Sequence, residues 1–202
     1  MKDLKKTGEM DYKFEFAIEG EFITLKQVSI EDAEDIFNWR TSESGKFLRH
    51  PQIYSIETQI AWIKNRTASE INYIIYSKNT STKIGMIGIY DVNFYDKVAN
   101  VGRLLVSESY LKDSNPYGLE AILLAYNYVF NDMNFRKITG DILGSNIKMF
   151  NLQKFLGMQQ EGYLKKHVII KNQFEDLFIM SIFKENFISY KRKIEIMLQC
   201  FR

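Results

Sequence analysis

Apolar and polar residues recur in short runs with a two-residue period through the first half of the chain. Phe22 to Val28, Ile71 to Ser77, Lys83 to Tyr90 and Asn100 to Val106 are rich in β-branched and aromatic residues and read as strands. The polar gap Lys78 to Thr82 reads as a hairpin between the second and third, so the four predict an antiparallel meander. Ser29-Ile30-Glu31-Asp32 is an N-cap followed by an acidic first turn and opens a helix to Trp39. Ser55 opens a second helix to Arg66, with Ile56, Ile60 and Ile63 on one face. Between them Thr41 to Tyr54 carries Gly45 and Pro51 and no period, which predicts a loop. The alternation Tyr12-Lys13-Phe14-Glu15-Phe16 is a candidate short edge strand, and the residues before it are expected to fray.

The pattern changes after Val106. A polar loop, Ser107 to Pro116, leads into Tyr117 to Asp132, which is apolar on nearly every face and predicts a helix lying flat against a sheet. Lys137 to Leu143 then reads as a strand and Asn146 to Leu156 as a helix. Strand, helix, strand, helix implies two parallel strands joined by a crossover helix. Gly118 at the helix start places unpaired backbone N–H groups and the positive end of the helix dipole beside the end of a strand, which predicts a site for a phosphate-bearing ligand. Gln159 to Lys171 and Asp176 to Phe183 form a further strand pair, and Ser189 to Phe201 a terminal helix.

Composition narrows the function classes. A chain of 202 residues is expected to form one domain with a substantial core. With 27 Lys and Arg against 25 Asp and Glu, the net charge of +2 implies no broad basic surface, so nucleic acid is not an expected partner. Cys200 is the single cysteine, which fits a reducing compartment. Met1 to Gly20 lacks the apolar stretch of a signal peptide and no run is long enough to span a bilayer, so the expected setting is the cytoplasm, without membrane attachment.

Three segments together resemble the acyl-CoA-binding motifs of the GNAT superfamily of N-acyltransferases. They are Gly102-Arg103-Leu104-Leu105-Val106, the loop ending Asn115-Pro116-Tyr117-Gly118-Leu119-Glu120-Ala121, and Asn146 to Met158. Lys83 to Ile89 is similar to the strand that precedes them in that family, and the resemblance covers residues 20–184. It implies an α/β (α+β) fold, a mixed, mostly antiparallel sheet whose central parallel strands splay apart between flanking helices. Residues 1–19 are then an N-terminal extension and 185–202 a C-terminal helix. The implied co-substrate is acetyl-CoA, with no metal. Backbone at Leu105 and Val106 would take the pantetheine arm, and Asn115, Tyr117, Gly118 and Leu119 the pyrophosphate, with Asn146 on the pantetheine.

The chain departs from the family pattern at three places. Asp113 and Pro116 stand where the family loop carries Gln or Arg and then Gly, so that one N–H donor is lost and a negative charge is added near the phosphates. Gln153 stands where many relatives have a tyrosine that reprotonates the departing thiolate, and an amide cannot act as that acid although it can hydrogen-bond sulfur.

On the acceptor side, Asn38-Trp39-Arg40 with Phe47 and His50 resembles the front half of nucleotide-sugar N-acetyltransferases, such as those of pseudaminic acid assembly. Arg40, Phe47 and His50 are therefore the expected acceptor contacts, in a pocket between the Thr41 to Tyr54 loop and the end of strand Asn100 to Val106. His50 and Asp91 are the expected catalytic bases. Lys83 to Gly102 also resembles the ribosomal-protein acetyltransferase branch. Two classes stay open: an acetyl-CoA-dependent N-acetyltransferase acting on a small amine, and a non-catalytic acyl-CoA-binding or interaction module. For the enzyme an amino-sugar nucleotide is the favoured acceptor, with a protein N-terminal amine or an antibiotic as alternatives. A homodimer is open in either case.

Overall fold

The computed structural model describes residues 13–49, 55–112, 114–170 and 172–201. Its chain runs β1 (Ala17–Glu19), β2 (Ile23–Gln27), α1 (Ala33–Thr41), α2 (Ile56–Lys64), β3 (Ile71–Ser77), β4 (Lys83–Asn93) and β5 (Val98–Val106). There follow the single turn α3 (Glu108–Leu111), α4 (Tyr117–Asn127), β6 (Lys137–Leu143), α5 (Ile147–Phe155), β7 (Gln159–Ile170), β8 (Gln173–Phe183) and α6 (Lys184–Gln199). The strands form one eight-stranded sheet in the order β1-β2-β3-β4-β5-β6-β8-β7. Among the described strands only β5 and β6 are parallel neighbours, and α4 is their crossover.

The expected split is present. β5 and β6 pair only at Val98↔Lys137, Ala99↔Ile138 and Asn100↔Thr139. Beyond Asn100, β5 stays laddered to β4 as far as Val106↔Gly85, and β6 to β8 as far as Leu143↔Leu177. The two halves of the sheet therefore diverge toward the C-terminal ends of their central strands. A bulge in β5 accompanies the split: the register slips between Gly88↔Gly102 and Met86↔Leu105, and Arg103 sits in the left-handed region at φ 55°. Gly88 makes room for it, since a Cβ there would lie 3.1 Å from Cδ of Arg103 and 2.6 Å from Oδ1 of Asn72.

Both faces of the sheet are covered. Alternation along β3 sends Tyr73 and Ile75 toward α4 and Ile74 toward α1 and α2, where Ile74 meets Ile36, Ile63, Met86 and Leu105. On the α4 face Tyr126 and Phe130 pack edge-on and tilted against Phe187 of α6, which joins the core with Ile194 and Leu198. Glu120 fixes α4 to the β1–β2 turn: its carboxylate accepts from the backbone N–H groups of Glu21, Phe22 and Ile23 at 2.6, 2.9 and 2.9 Å.

Several boundaries differ from expectation, three of them with a visible cause. The edge strand falls at Ala17–Glu19, because the Gln27 side-chain amide takes the carbonyls of Phe14 and Glu15 that a longer ladder would use. The long helix leaves α geometry after Asn127 and closes with a wider π turn, Tyr128–Asp132, whose Tyr128 carbonyl accepts from Met133 N–H. The terminal helix starts at Lys184, directly off β8, because Phe187 is drawn into the core.

Candidate active site

The divergence of β5 from β6 opens a cavity of about 510 Å³. Its walls are β5 from Val101 to Val106 and β6 from Gly140 to Leu143, the start of α4, one side of α5, and Phe47, Leu48 and Arg49 from the segment after α1. Leu105, Val106, Asn115, Tyr117, Gly118, Leu119, Asn146 and Phe47, all expected from sequence, line this one space.

The local reasons are plain. Pro116 precedes the first turn of α4 with φ −86°, a conformation its ring favours, and the first intrahelical donor is Glu120 N–H to Pro116 O. By helix geometry the N–H groups of Tyr117, Gly118 and Leu119 are left to serve something outside the helix. A Cβ on Gly118 would lie 3.6 Å from Val106 Cγ2 and 3.7 Å from Leu104 Cδ2, both cavity-wall side chains. Asn146 caps α5 by accepting from Met149 N–H at 3.2 Å, and it lines the cavity as well.

Other expected residues are placed differently. Asp91 is exposed and off the cavity: it sits at φ 51° where the β4–β5 register slips, and it accepts from Asn100 Nδ2 at 2.7 Å. Arg40 is also off the wall, its guanidinium over the same Trp62 ring as that of Arg103. His50 and Asp113 lie outside the described residues.

Asp141, Tyr90, Arg49 and Arg103 were not singled out from sequence, yet they hold the polar end of the cavity. Asp141 forms an ion pair with Arg49 and lies 3.4 Å from the Tyr90 hydroxyl, whose pKa burial raises. Arg103 pairs with Glu70 at 3.0 Å, donates to Asn72 Oδ1 at 2.9 Å and lies 4.2 Å over the Tyr90 ring. Arg40 lies over the Trp62 ring at 4.5 Å, and none of its three guanidinium nitrogens has a hydrogen-bond partner among the described residues. Burial, and after it the charge of Arg103, pushes its pKa down to about 9 against the opposing pull of Glu70, so it stays cationic at neutral pH. Asp141 did leave a sequence signal: an acid inside a strand that after Lys137 is otherwise built from Ile, Leu, Thr and Gly.

Residues 23–159 match the family model described as an acetyltransferase (GNAT) domain. This chain belongs to the GNAT acetyltransferases. It is 22% identical over 165 residues to the Bacillus subtilis (strain 168) protein named as the uncharacterized N-acetyltransferase YnaD, covering 81% of this GNAT chain and 94% of that protein. The fold is that of a GCN5-related N-acetyltransferase from Brucella melitensis (TM-score 0.77, 16% identity, 90% of this chain and 85% of the other). It is also that of a spermidine N-acetyltransferase from Vibrio cholerae solved with CoA and spermine (TM-score 0.73, 18% identity, 82% and 98%).

Family membership decides between the two classes left open by the sequence: this GNAT protein is an acetyl-CoA-dependent N-acetyltransferase. Its cavity suits that co-substrate. The edge of β5 from Val101 to Val106 has no β6 partner and is free to bond an extended chain as an added strand would. The start of α4 borders the same space with a glycine, Gly118, where backbone can approach a phosphate closely. When bound, acetyl-CoA supplies an activated acetyl group. No group of His, Cys, Asp and Glu able to hold a metal ion occurs among the described residues.

Proposed function

We propose that this GNAT enzyme acetylates the primary amine of a small cytoplasmic acceptor that carries acidic groups, with an amino-sugar nucleotide as the favoured acceptor. The observation that carries this reading is the charge at the polar end of the cavity. Arg49, Arg103 and Lys148 line the cavity, and Asp141 is the one carboxylate among its described lining residues. Asp141 is matched by Arg49, and Glu70 behind it by Arg103. Arg40 adds a buried cation whose guanidinium nitrogens have no hydrogen-bond partner among the described residues, and such a group favours an incoming anion. A polyamine such as spermine would bring several ammonium groups to a lining that already carries Arg49, Arg103 and Lys148 and, among the described residues, the single carboxylate of Asp141. Phe47 and Tyr90 offer aromatic surface to a base or sugar.

In this reading Leu105 and Val106 backbone hold the extended arm, the Tyr117, Gly118 and Leu119 N–H groups hold phosphate, and Asn146 contacts the arm. Asp141, fixed by Arg49 and Tyr90, orients the acceptor ammonium and receives or relays its proton through water. His50 is the alternative base. Arg103 and Phe47 contact the acceptor, and Arg40 adds its field from behind.

The test is a turnover screen with acetyl-CoA across amino-sugar nucleotides, polyamines, aminoglycosides and N-terminal peptides. An amino-sugar nucleotide should give the highest kcat/KM and spermine should be inert. Preference for spermine would overturn the acceptor assignment.

A further inference from the structure

Gln153 lines the cavity but is only 8% exposed, and its amide is held from behind. The Tyr126 hydroxyl, enclosed in the core between α4 and α5, donates to Gln153 Oε1 at 2.8 Å. Burial raises the Tyr126 pKa, so the phenol stays protonated and remains a donor. Its proton has to meet an oxygen, which assigns the two ends of the amide: Oε1 faces Tyr126 and the NH2 group is turned away from it. One contact of that NH2 is already to sulfur, the Met149 thioether at 3.6 Å. Of the tyrosines on the described cavity wall, Tyr90 donates to Asp141, Tyr110 shares a hydrogen bond with Thr82, and Tyr117 accepts from Ser77.

We propose that Gln153, oriented by Tyr126, is the hydrogen-bond donor to the sulfur that leaves in acetyl transfer, so that sulfur departs as a thiolate and takes its proton from water. This rests on the acetyl-CoA reading of the cavity. The bookkeeping is closed. The acceptor nitrogen forms a bond to the acetyl carbon, the carbon–sulfur bond breaks, and its electron pair goes to sulfur. Of the two protons that the acceptor ammonium loses, one reaches sulfur by way of water and the other is released to solvent. Gln153 gives and receives no proton. An N–H donor to an anion is worth more than one to a neutral group, so the amide selectively favours the charged leaving group. Tyr126 is a positioning residue, because without its hydroxyl the amide is free to turn its oxygen toward the cavity.

Binding of CoA and of desulfo-CoA, followed by calorimetry from about pH 6 to 9, tests this without turnover. In the wild-type protein the affinity for CoA should rise with pH relative to desulfo-CoA, because the bound thiol ionises more readily than the free one. Gln153→Leu should abolish the rise, lowering the CoA to desulfo-CoA affinity ratio about tenfold at the high end while desulfo-CoA still binds. Gln153→Glu should invert the slope, and Tyr126→Phe should reduce it with Gln153 intact. A Gln153→Leu protein that keeps the wild-type slope, or a wild-type protein without one, overturns the proposal. Failure of the wild-type protein to bind either compound overturns the acetyl-CoA reading beneath it.

Discussion

Substituting Gly118 separates binding from folding more cleanly than any other change at this site. The missing Cβ would lie 3.6 and 3.7 Å from Val106 and Leu104 side-chain carbons, ordinary van der Waals distances, so a methyl group fits the free protein without a shift. The position has no left-handed backbone that would strain an alanine, and it lies in the first turn of α4. Gly118→Ala should therefore leave stability unchanged or raise it by about 0.4–1 kcal/mol through loss of unfolded-state freedom. The same methyl stands on the cavity side, where backbone N–H groups have to approach a phosphate. Loss of one charge-assisted hydrogen bond costs about 1.5–3 kcal/mol, or roughly 10- to 150-fold in Kd. Gly118→Val, with two further methyl groups, should abolish acetyl-CoA binding with the fold intact. Calorimetry with acetyl-CoA and thermal denaturation of the three proteins report the two effects separately. Undiminished affinity in Gly118→Val would show that the phosphates lie elsewhere.

Arg40→Ala should raise the KM for the acceptor far more than that for acetyl-CoA, and steady-state kinetics with each substrate varied in turn would show an equal rise if the residue only supports the fold. Asp141→Asn should lower kcat by about 10²-fold or more with little change in acetyl-CoA binding, whereas His50→Ala should remove the acidic limb of the pH–rate profile if His50 is the base; an unaltered profile in both would assign proton removal to water. Lys83 joins β4 to the start of α1 through Asp32 and Asp35 at 2.8 and 2.9 Å. Burial pulls its pKa down, but those two carboxylates together outweigh it and the net shift is upward. The folded pKa being raised, this contribution is complete below the unfolded value near 10.5 and is lost as pH rises beyond it. The Tm difference between wild type and Lys83→Met should thus stay constant up to about pH 10 and shrink above it; a difference that instead shrinks toward pH 5 would contradict the assignment.

The signals that could be read from sequence were local ones. The parallel β5–β6 pair follows from a strand, a Gly-started crossover helix and a second strand, each marked by residues within a few positions of one another, while the split between them and the wall residues from Leu105 to Asn146 came from the resemblance to the GNAT motifs. The features that escaped depend on contacts between distant segments. Arg49 and Asp141 lie far apart in the chain and meet only because α1 and the turn after it fold over the end of β6. Arg103 adopts a positive φ without being Gly, Asn or Asp, so nothing in its identity marks the bulge. The same kind of register slip turns Asp91 outward, where an unbroken strand would have left its direction to simple alternation. Arg40 was expected on the wall, but its guanidinium lies over Trp62, on the next helix, and off the cavity lining.

The gap beside β5 also bears on how such a site is inherited. Much of the surface offered to the ligand is main chain: the unladdered edge from Val101 to Val106 and the first N–H groups of α4. Main-chain donors and acceptors are the same whatever side chain they carry, so substitutions at Leu104, Leu105 or Leu119 that keep the strand and helix in place leave this part of recognition unchanged. In the proposed reading, sequence can thus diverge around a binding surface that mutation reaches only through backbone geometry. The positions with little latitude in that reading are those that set that geometry, Gly88 beneath the bulge and Gly118 at the helix start, while the side chains around Asp141 can adapt to a new acceptor.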